Sequence, residues 1–431
     1  MNQSPSKLSV STRSLIQKGA SYALGDGSTT VANLVIFTLL LRYLAPAEFG
    51  YLSVGQALSS WVQPVLYMGA SFVAVRLIAA NPSQTQVIAR RMITLRLAAA
   101  VVVASGTGIA ALHSSEPSLR AVLLAYSGLF LLYPVQPDFI AIGLHRPRVY
   151  SVARWIGSAC FLAGVIMLTR ISLRAWMVPL AYAASLFASA AYGYFALWPA
   201  LRAHKEQTDS GFGVLFRGAI LVIAAQFLQM GQAAINVLSL SIWKIPARLI
   251  GDYSAVARLT QAGAVPLIAL IYSLAPVYVK QFATRDIASI KKLEWRFRIC
   301  LLLVGLVGAT VIVSIGPQIL ELVSGRRMPS AYQLAPIFAL GYFLVAVHNS
   351  YTAVLVYAGA NHLYVAVYAL GFLGTLLAAI VLIPRFGTIG SGWSEVAGLA
   401  IILTASCLFH RRLLRQQQQE SDACLQAIEA S

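Results

Sequence analysis

From residue 20 to residue 409 the chain runs through one long apolar stretch after another, and no polar connection between them is long enough to fold alone. A helix that crosses the hydrocarbon core of a bilayer needs about 20 mostly apolar residues. Twelve stretches meet that need: 20–41, 51–73, 92–112, 119–140, 151–168, 176–198, 214–242, 253–278, 299–315, 331–356, 363–383 and 389–409. Only 11% of residues are charged and 58% are hydrophobic, whereas soluble domains carry about 25% charged residues. The expected fold class is therefore an all-α polytopic membrane protein with twelve transmembrane helices. Residues 1–14 are polar and no cleavage site follows a short apolar core, so no cleavable leader is expected and the first span should persist in the mature chain.

The formal charge is +18. Most of it follows from the tendency of cytoplasmic loops to collect Lys and Arg. With the N-terminus placed in the cytoplasm, 22 of the 32 Lys and Arg fall on the inner side and 9 on the outer, leaving Arg258 inside a span. Both termini are then cytoplasmic, in a plasma or inner membrane, and the charge implies no nucleic-acid partner. Any remaining excess suits a cationic cavity for an anionic substrate. Cys160, Cys300, Cys407 and Cys424 show no metal-ligand spacing and suggest no disulfide. The six histidines are scattered and no Walker motif is present, so we expect no metal, no cofactor and no ATP hydrolysis.

The two halves repeat each other weakly but in order. Phe49-Gly50-Tyr51-Leu52-Ser53 aligns with Ile250-Gly251-Asp252-Tyr253-Ser254, and Leu58 then falls on Leu259. Pro64 lies within one position of the counterpart of Pro266, and Gly143-Leu144-His145-Arg146 parallels Gly359-Ala360-Asn361-His362. The expected organisation is a cytoplasmic segment 1–19, a six-helix half 20–200, a linker 201–213, a second half 214–410 and a tail 411–431. Six spans per half gives both halves one orientation, so the halves are pseudo-symmetric around a central cavity. Pro64, Pro134, Pro137, Pro179, Pro266, Pro276 and Pro336 fall inside spans, where each removes a helix donor and favours a bend.

Charges within spans mark candidate sites, because an ionised side chain costs about 2.5–3.5 kcal/mol at the bilayer centre on insertion scales. Asp26 lies eight residues past Lys18, about 12 Å along a helix. It is a candidate ion-coupling carboxylate, with a water-bridged or Ser28/Thr29/Thr30-bonded Asp as the structural reading. Arg258 lies about 9 Å past Asp252, and a guanidinium grips a phosphate or carboxylate group with two parallel hydrogen bonds. Its structural reading is an internal pair with Asp252 or Asp26. Arg76 and Arg217, near the inner ends of their spans, are candidate ligands for an anionic substrate or snorkelling residues. Asp138, between Pro137 and the basic run at Arg146 and Arg148, is a candidate gate latch, with Arg154 as a further gate candidate and Glu395 as another charge near a span interior.

Three motifs carry a family likeness. Arg42-Tyr43-Leu44-Ala45-Pro46-Ala47-Glu48-Phe49-Gly50 resembles the first outer turn of the polysaccharide transporters, the O-antigen and exopolysaccharide flippases of the multidrug/oligosaccharidyl-lipid/polysaccharide (MOP) superfamily. Gly69-Ala70-Ser71-Phe72-Val73-Ala74-Val75-Arg76 is similar to the end of their second helix, and Leu382-Ile383-Pro384-Arg385-Phe386-Gly387-Thr388-Ile389-Gly390-Ser391-Gly392 to their link between spans 11 and 12. The resemblance implies translocation of a polyprenyl-diphosphate-linked oligosaccharide from inner to outer leaflet. Its implied partners are that substrate, membrane lipids, a polysaccharide polymerase and a chain-length regulator. In the related drug antiporters a first-helix carboxylate couples ions, which the place of Asp26 resembles. The related lipid II flippases line the cavity with arginines, span 8 included, which the place of Arg258 resembles. Two other functions stay open: a cation-coupled drug or metabolite antiporter, and a membrane polymerase or ligase. The latter should show a large outer loop, and the longest outer connection, near 316–330, is too short for a domain. A transporter rather than an enzyme is expected.

Overall fold

The computed structural model describes residues 12–67, 70–202, 212–264, 267, 270–271 and 287–429; the side chains of 12–26, 212–219 and 421–429, among others, lie outside this description. Every long regular element among them is an α-helix. In chain order these are α1 (Thr12–Tyr43), α2 (Pro46–Tyr67), α3 (Ala70–Ala80), α4 (Thr85–His113), α5 (Pro117–Phe130), α6 (Asp138–Gly143) and α7 (Pro147–Ile171). There follow α8 (Met177–Arg202), α9 (Phe212–Ile242), α10 (Ala247–Gly263), α11 (Ile287–Ser314), α12 (Gly316–Ser324), α13 (Pro329–Tyr357) and α14 (Asn361–Glu429). Seven stretches among the described residues are long and apolar enough to cross a membrane, and the last, Asn361–Gln416, is broken by non-helical backbone at Gly387.

Local chemistry sets the breaks. Pro46, Pro117, Pro147 and Pro329 open helices, where the missing N–H has no intrahelical partner to lose. Pro134 and Pro137 divide the fourth apolar stretch into α5, a 3₁₀ turn Tyr133–Val135 and the short α6. Pro64 and Pro336 lie inside α2 and α13 as expected. Pro179 does not bend a span, because it occupies the first turn of α8; Pro266 and Pro276 lie outside the described residues. Gly387, with φ 56°, turns the chain within the motif expected to link spans 11 and 12.

The helices are partitioned for lipid rather than water. Val102, Ile171, Phe195 and Leu322 are 72–82% exposed, while Arg96, Asn236, Thr375, Ser391 and Ser394 are at most 1% exposed. Apolar atoms outward and polar atoms inward is the arrangement a hydrocarbon solvent selects. The protein is thus an all-helical, multi-pass membrane protein.

The chain forms two compact units. Unit 1 comprises Met1–Tyr43 and Leu66–Phe216. Its main pairings are α1 with α7, α7 with α8, α4 with α5 and α3 with α6. Unit 2 comprises Leu44–Val65 and Arg217–Ser431, so most of α2 packs with the C-terminal helices. Within it α13 packs on α14, α11 and α10. The two arms of α14 approach through small residues: a Cβ at Gly398 would meet Thr375 Oγ1 and, at 2.9 Å, the Gly371 carbonyl. Close backbone approach through small residues is how membrane helices gain contact area without a hydrophobic driving force.

The start of α2 meets the start of α10 in a reciprocal contact. A Cβ at Gly50 would strike the Ala247 carbonyl, and one at Gly251 would come within 2.9 Å of the Pro46 carbonyl. Gly50 and Gly251 are partners in the sequence alignment of the halves, and at the same offset so are Pro46 and Ala247. Residues aligned between the halves thus meet in one local contact.

Candidate functional site

Four helices of unit 2 carry polar residues at three- and four-residue spacing, which places them on one face. These are Ser53, Gln56 and Ser60 on α2, Gln229 and Gln232 on α9, Ser254, Arg258 and Gln261 on α10, with His348 and Asn349 adjacent on α13. The faces converge on a cavity of about 450 Å³ that they line together with Tyr253, Tyr368 and Glu395. That volume lies in the ~300–1,000 Å³ range of small-molecule sites.

Arg258 is half-buried, with its guanidinium carbon 5.6 Å from the centroid of the Phe49 ring. Glu395 Oε2 accepts a hydrogen bond of 3.1 Å from the Tyr253 hydroxyl. The Tyr253 ring packs 5.1 Å from Phe338, which holds that hydroxyl in place. Behind the wall, Ser394 donates to Asn236 Oδ1 at 2.8 Å and joins α14 to α9. Trp61 stacks on Phe227 at 5.5 Å and leans on Phe372 at 5.9 Å, giving the cavity region an aromatic flank.

Asp252, the partner offered for Arg258 from the sequence, holds groups farther along the chain. Asp252 is 3% exposed and bonds Arg326 Nη2 at 3.0 Å and Ser330 Oγ at 2.7 Å. The side chain points away along α10 to fasten the segment joining α12 to α13. Six residues on a helix rotate a side chain through about 600°, so Asp252 and Arg258 lie about 120° apart around α10.

The other candidates are spread out. Arg76 lies on α3 in unit 1, exposed. Arg217 lies in the first turns of α9 and Asp26 on α1, and both side chains are outside the described residues. Asp138 and Arg154 do come together: Arg154 Nη2 is 3.3 Å from Asp138 Oδ2, and the pair ties α6 to α7 inside unit 1. Beside them sits a residue whose burial the sequence reading did not foresee. Arg96, counted among the inner-side charges, is 1% exposed within α4. Its Nε donates to the Tyr67 carbonyl at 3.1 Å, and its guanidinium carbon lies 4.6 Å from the Phe139 ring centroid and 5.6 Å from that of Tyr67. An aromatic face attracts a desolvated guanidinium by about 2 kcal/mol or more, which helps unit 1 hold this cation. The amides of the cavity were also missed. Their signal was present as Gln226, Gln229 and Gln232 at three-residue spacing in an apolar stretch.

Comparison with known proteins places this architecture. A family profile described as polysaccharide biosynthesis protein matches residues 15–282. No curated protein matches the chain by sequence. Among solved structures, the inward-facing conformation of a multidrug resistance MATE family transporter of the MOP superfamily is similar with TM-score 0.72 at 12% identity, over 91% of this chain and 96% of that one. A Vibrio cholerae MATE transporter mutant gives 0.58 at 15% identity, over 93% and 96%. A MOP superfamily transporter from Pyrococcus furiosus, whose binding pocket is described as reversed in polarity, gives 0.56 at 12%, over 94% and 96%. At these identities the likeness establishes the fold, and the profile establishes the family. The chain has the MATE-like fold of the MOP superfamily, and it belongs to the polysaccharide biosynthesis protein family.

Proposed function

We propose that this protein is a flippase that carries polyprenyl-diphosphate-linked oligosaccharide units, precursors of O-antigen or exopolysaccharide, from the cytoplasmic to the periplasmic leaflet of the inner membrane. The supporting observation is a polar cavity holding Arg258 among apolar helices, in a chain of a polysaccharide biosynthesis family. Moving a diphosphate through hydrocarbon unpaired is prohibitive. A cation in a polar cavity lowers that barrier by attraction and by replacing lost water contacts. In this reading twelve spans place both termini in the cytoplasm, the chain works by alternating access, and Asp26 couples it to an ion gradient. Arg76 and Arg217 receive the headgroup at the inner leaflet, and Asp138 with Arg154 forms a gate element. A polymerase and a chain-length regulator act on the delivered units.

Deletion of the gene followed by analysis of lipid-linked sugars tests the reading. Complete repeat units retained on the inner leaflet are expected; normal flipping with lost chain extension would point to a polymerase instead. A cation-coupled multidrug or metabolite antiporter is the second reading, favoured by the fold likeness to MATE transporters. It requires drug efflux that follows the ion gradient and survives without lipid-linked sugar.

A further inference from the structure

The residues that line the unit 2 cavity carry polar groups of mixed kinds. Gln56, Gln232, Ser254 and His348 line it beside Gln229, Gln261 and Asn349. Gln232, Ser254 and His348 are 4–5% exposed. A site built for an anion turns donors inward, and one built for a cation turns acceptors inward. Here amides, hydroxyls and an imidazole, which between them carry both donors and acceptors, make up most of the polar lining. A sugar hydroxyl, which both donates and accepts, satisfies every member of such a set.

The charge balance narrows the class further. Arg258 is the basic residue on this wall and Glu395 the acidic one, while five lining residues are side-chain amides: Gln56, Gln229, Gln232, Gln261 and Asn349. A sugar bearing a carboxylate would bring a further anionic group to a wall whose one guanidinium is already needed for the charged end of the cargo. Desolvating that carboxylate without a new cation is costly. Building on the flippase reading, we propose that the unit 2 cavity is a subsite for uncharged sugar, in which the amides, Ser254 and His348 read hydroxyl groups and exclude acidic sugars.

The test uses the full-length protein in lipid nanodiscs and two synthetic short-chain polyprenyl diphosphates. One carries a neutral hexose disaccharide and the other the same disaccharide ending in a hexuronic acid. Binding is followed by tryptophan fluorescence. The neutral probe should bind at least about tenfold more tightly, as expected where buried polar groups must be answered by the ligand. Gln261→Leu combined with Asn349→Leu should remove most of that preference. Asn349→Asp, nearly the same shape, should widen it by adding a carboxylate, and keeps the test alive if the leucine pair does not fold. Equal binding of the two probes by the unaltered protein, or a preference that neither variant changes, overturns the proposal. Translocation in proteoliposomes is scored separately. Flipping of both probes alike leaves the flippase standing and removes the sugar subsite. Selective binding without flipping does the reverse, and loss of both sinks both.

Discussion

Arg258 and Asp252 share α10 yet have different work. Asp252 is locked by Arg326 and Ser330 in the structure of unit 2, whereas Arg258 reaches the cavity wall. Arg258→Ala should lower translocation of a lipid-linked oligosaccharide well below Arg258→Lys in the same assay, because Lys keeps the charge and loses only the two-pronged grip. Thermal unfolding of both variants in detergent should stay close to that of the parent protein. Asp252→Asn should behave in the opposite way. It leaves Arg326, already without partners at Nε and Nη1, short of its carboxylate, and breaking a buried pair costs about 3 kcal/mol or more. A large drop in unfolding temperature is the expected outcome; a variant with normal stability and lost transport would move Asp252 into the transport machinery.

Two predictions belong to the helices. Ala normally stabilises a helix over Gly by about 0.5–1 kcal/mol, but Gly50→Ala should destabilise, since its Cβ would strike the Ala247 carbonyl across the α2–α10 crossing. Overpacking of this kind costs about 1–3 kcal/mol. Gly251→Ala should cost less, because its contact with the Pro46 carbonyl is looser. Thermal unfolding of the two variants side by side reads this; a gain in stability from either would mean that the helices are not held this close. The tie between α6 and α7 is checked by a double-mutant cycle. Asp138→Asn and Arg154→Gln should couple by about 1 kcal/mol, modest because both side chains are partly exposed, at 20% and 35%.

At the scale of the whole molecule, the prediction concerns sidedness. Reporter fusions at Lys205 and Lys291 should read cytoplasmic and one at Arg326 periplasmic, following the uneven distribution of Lys and Arg. A periplasmic Lys205 would break the six-plus-six arrangement.

Sequence alone determined the class of this protein, for a simple reason. A bilayer demands long apolar helices whatever their neighbours, so length and hydropathy were enough to give the class, with seven membrane-length stretches seen among the described residues against the twelve expected. Glycine and proline then marked the breaks, as at Pro137 and Gly387, because backbone limits are local. Even the pairing of Gly50 with Gly251 was legible as a repeat, though only the fold shows that the two glycines meet. Tertiary structure decided which polar side chains share a space. Arg96 reads in the sequence as one more charge near a span end, and becomes a buried cation only through Tyr67 and Phe139, which lie 29 and 43 residues away. Asp252 and Arg258 looked like partners by proximity in sequence, yet helix rotation sends one to Arg326 and the other to the cavity. The amides of α2, α9, α10 and α13 became a single site only when four helices, distant in sequence, brought their polar faces together.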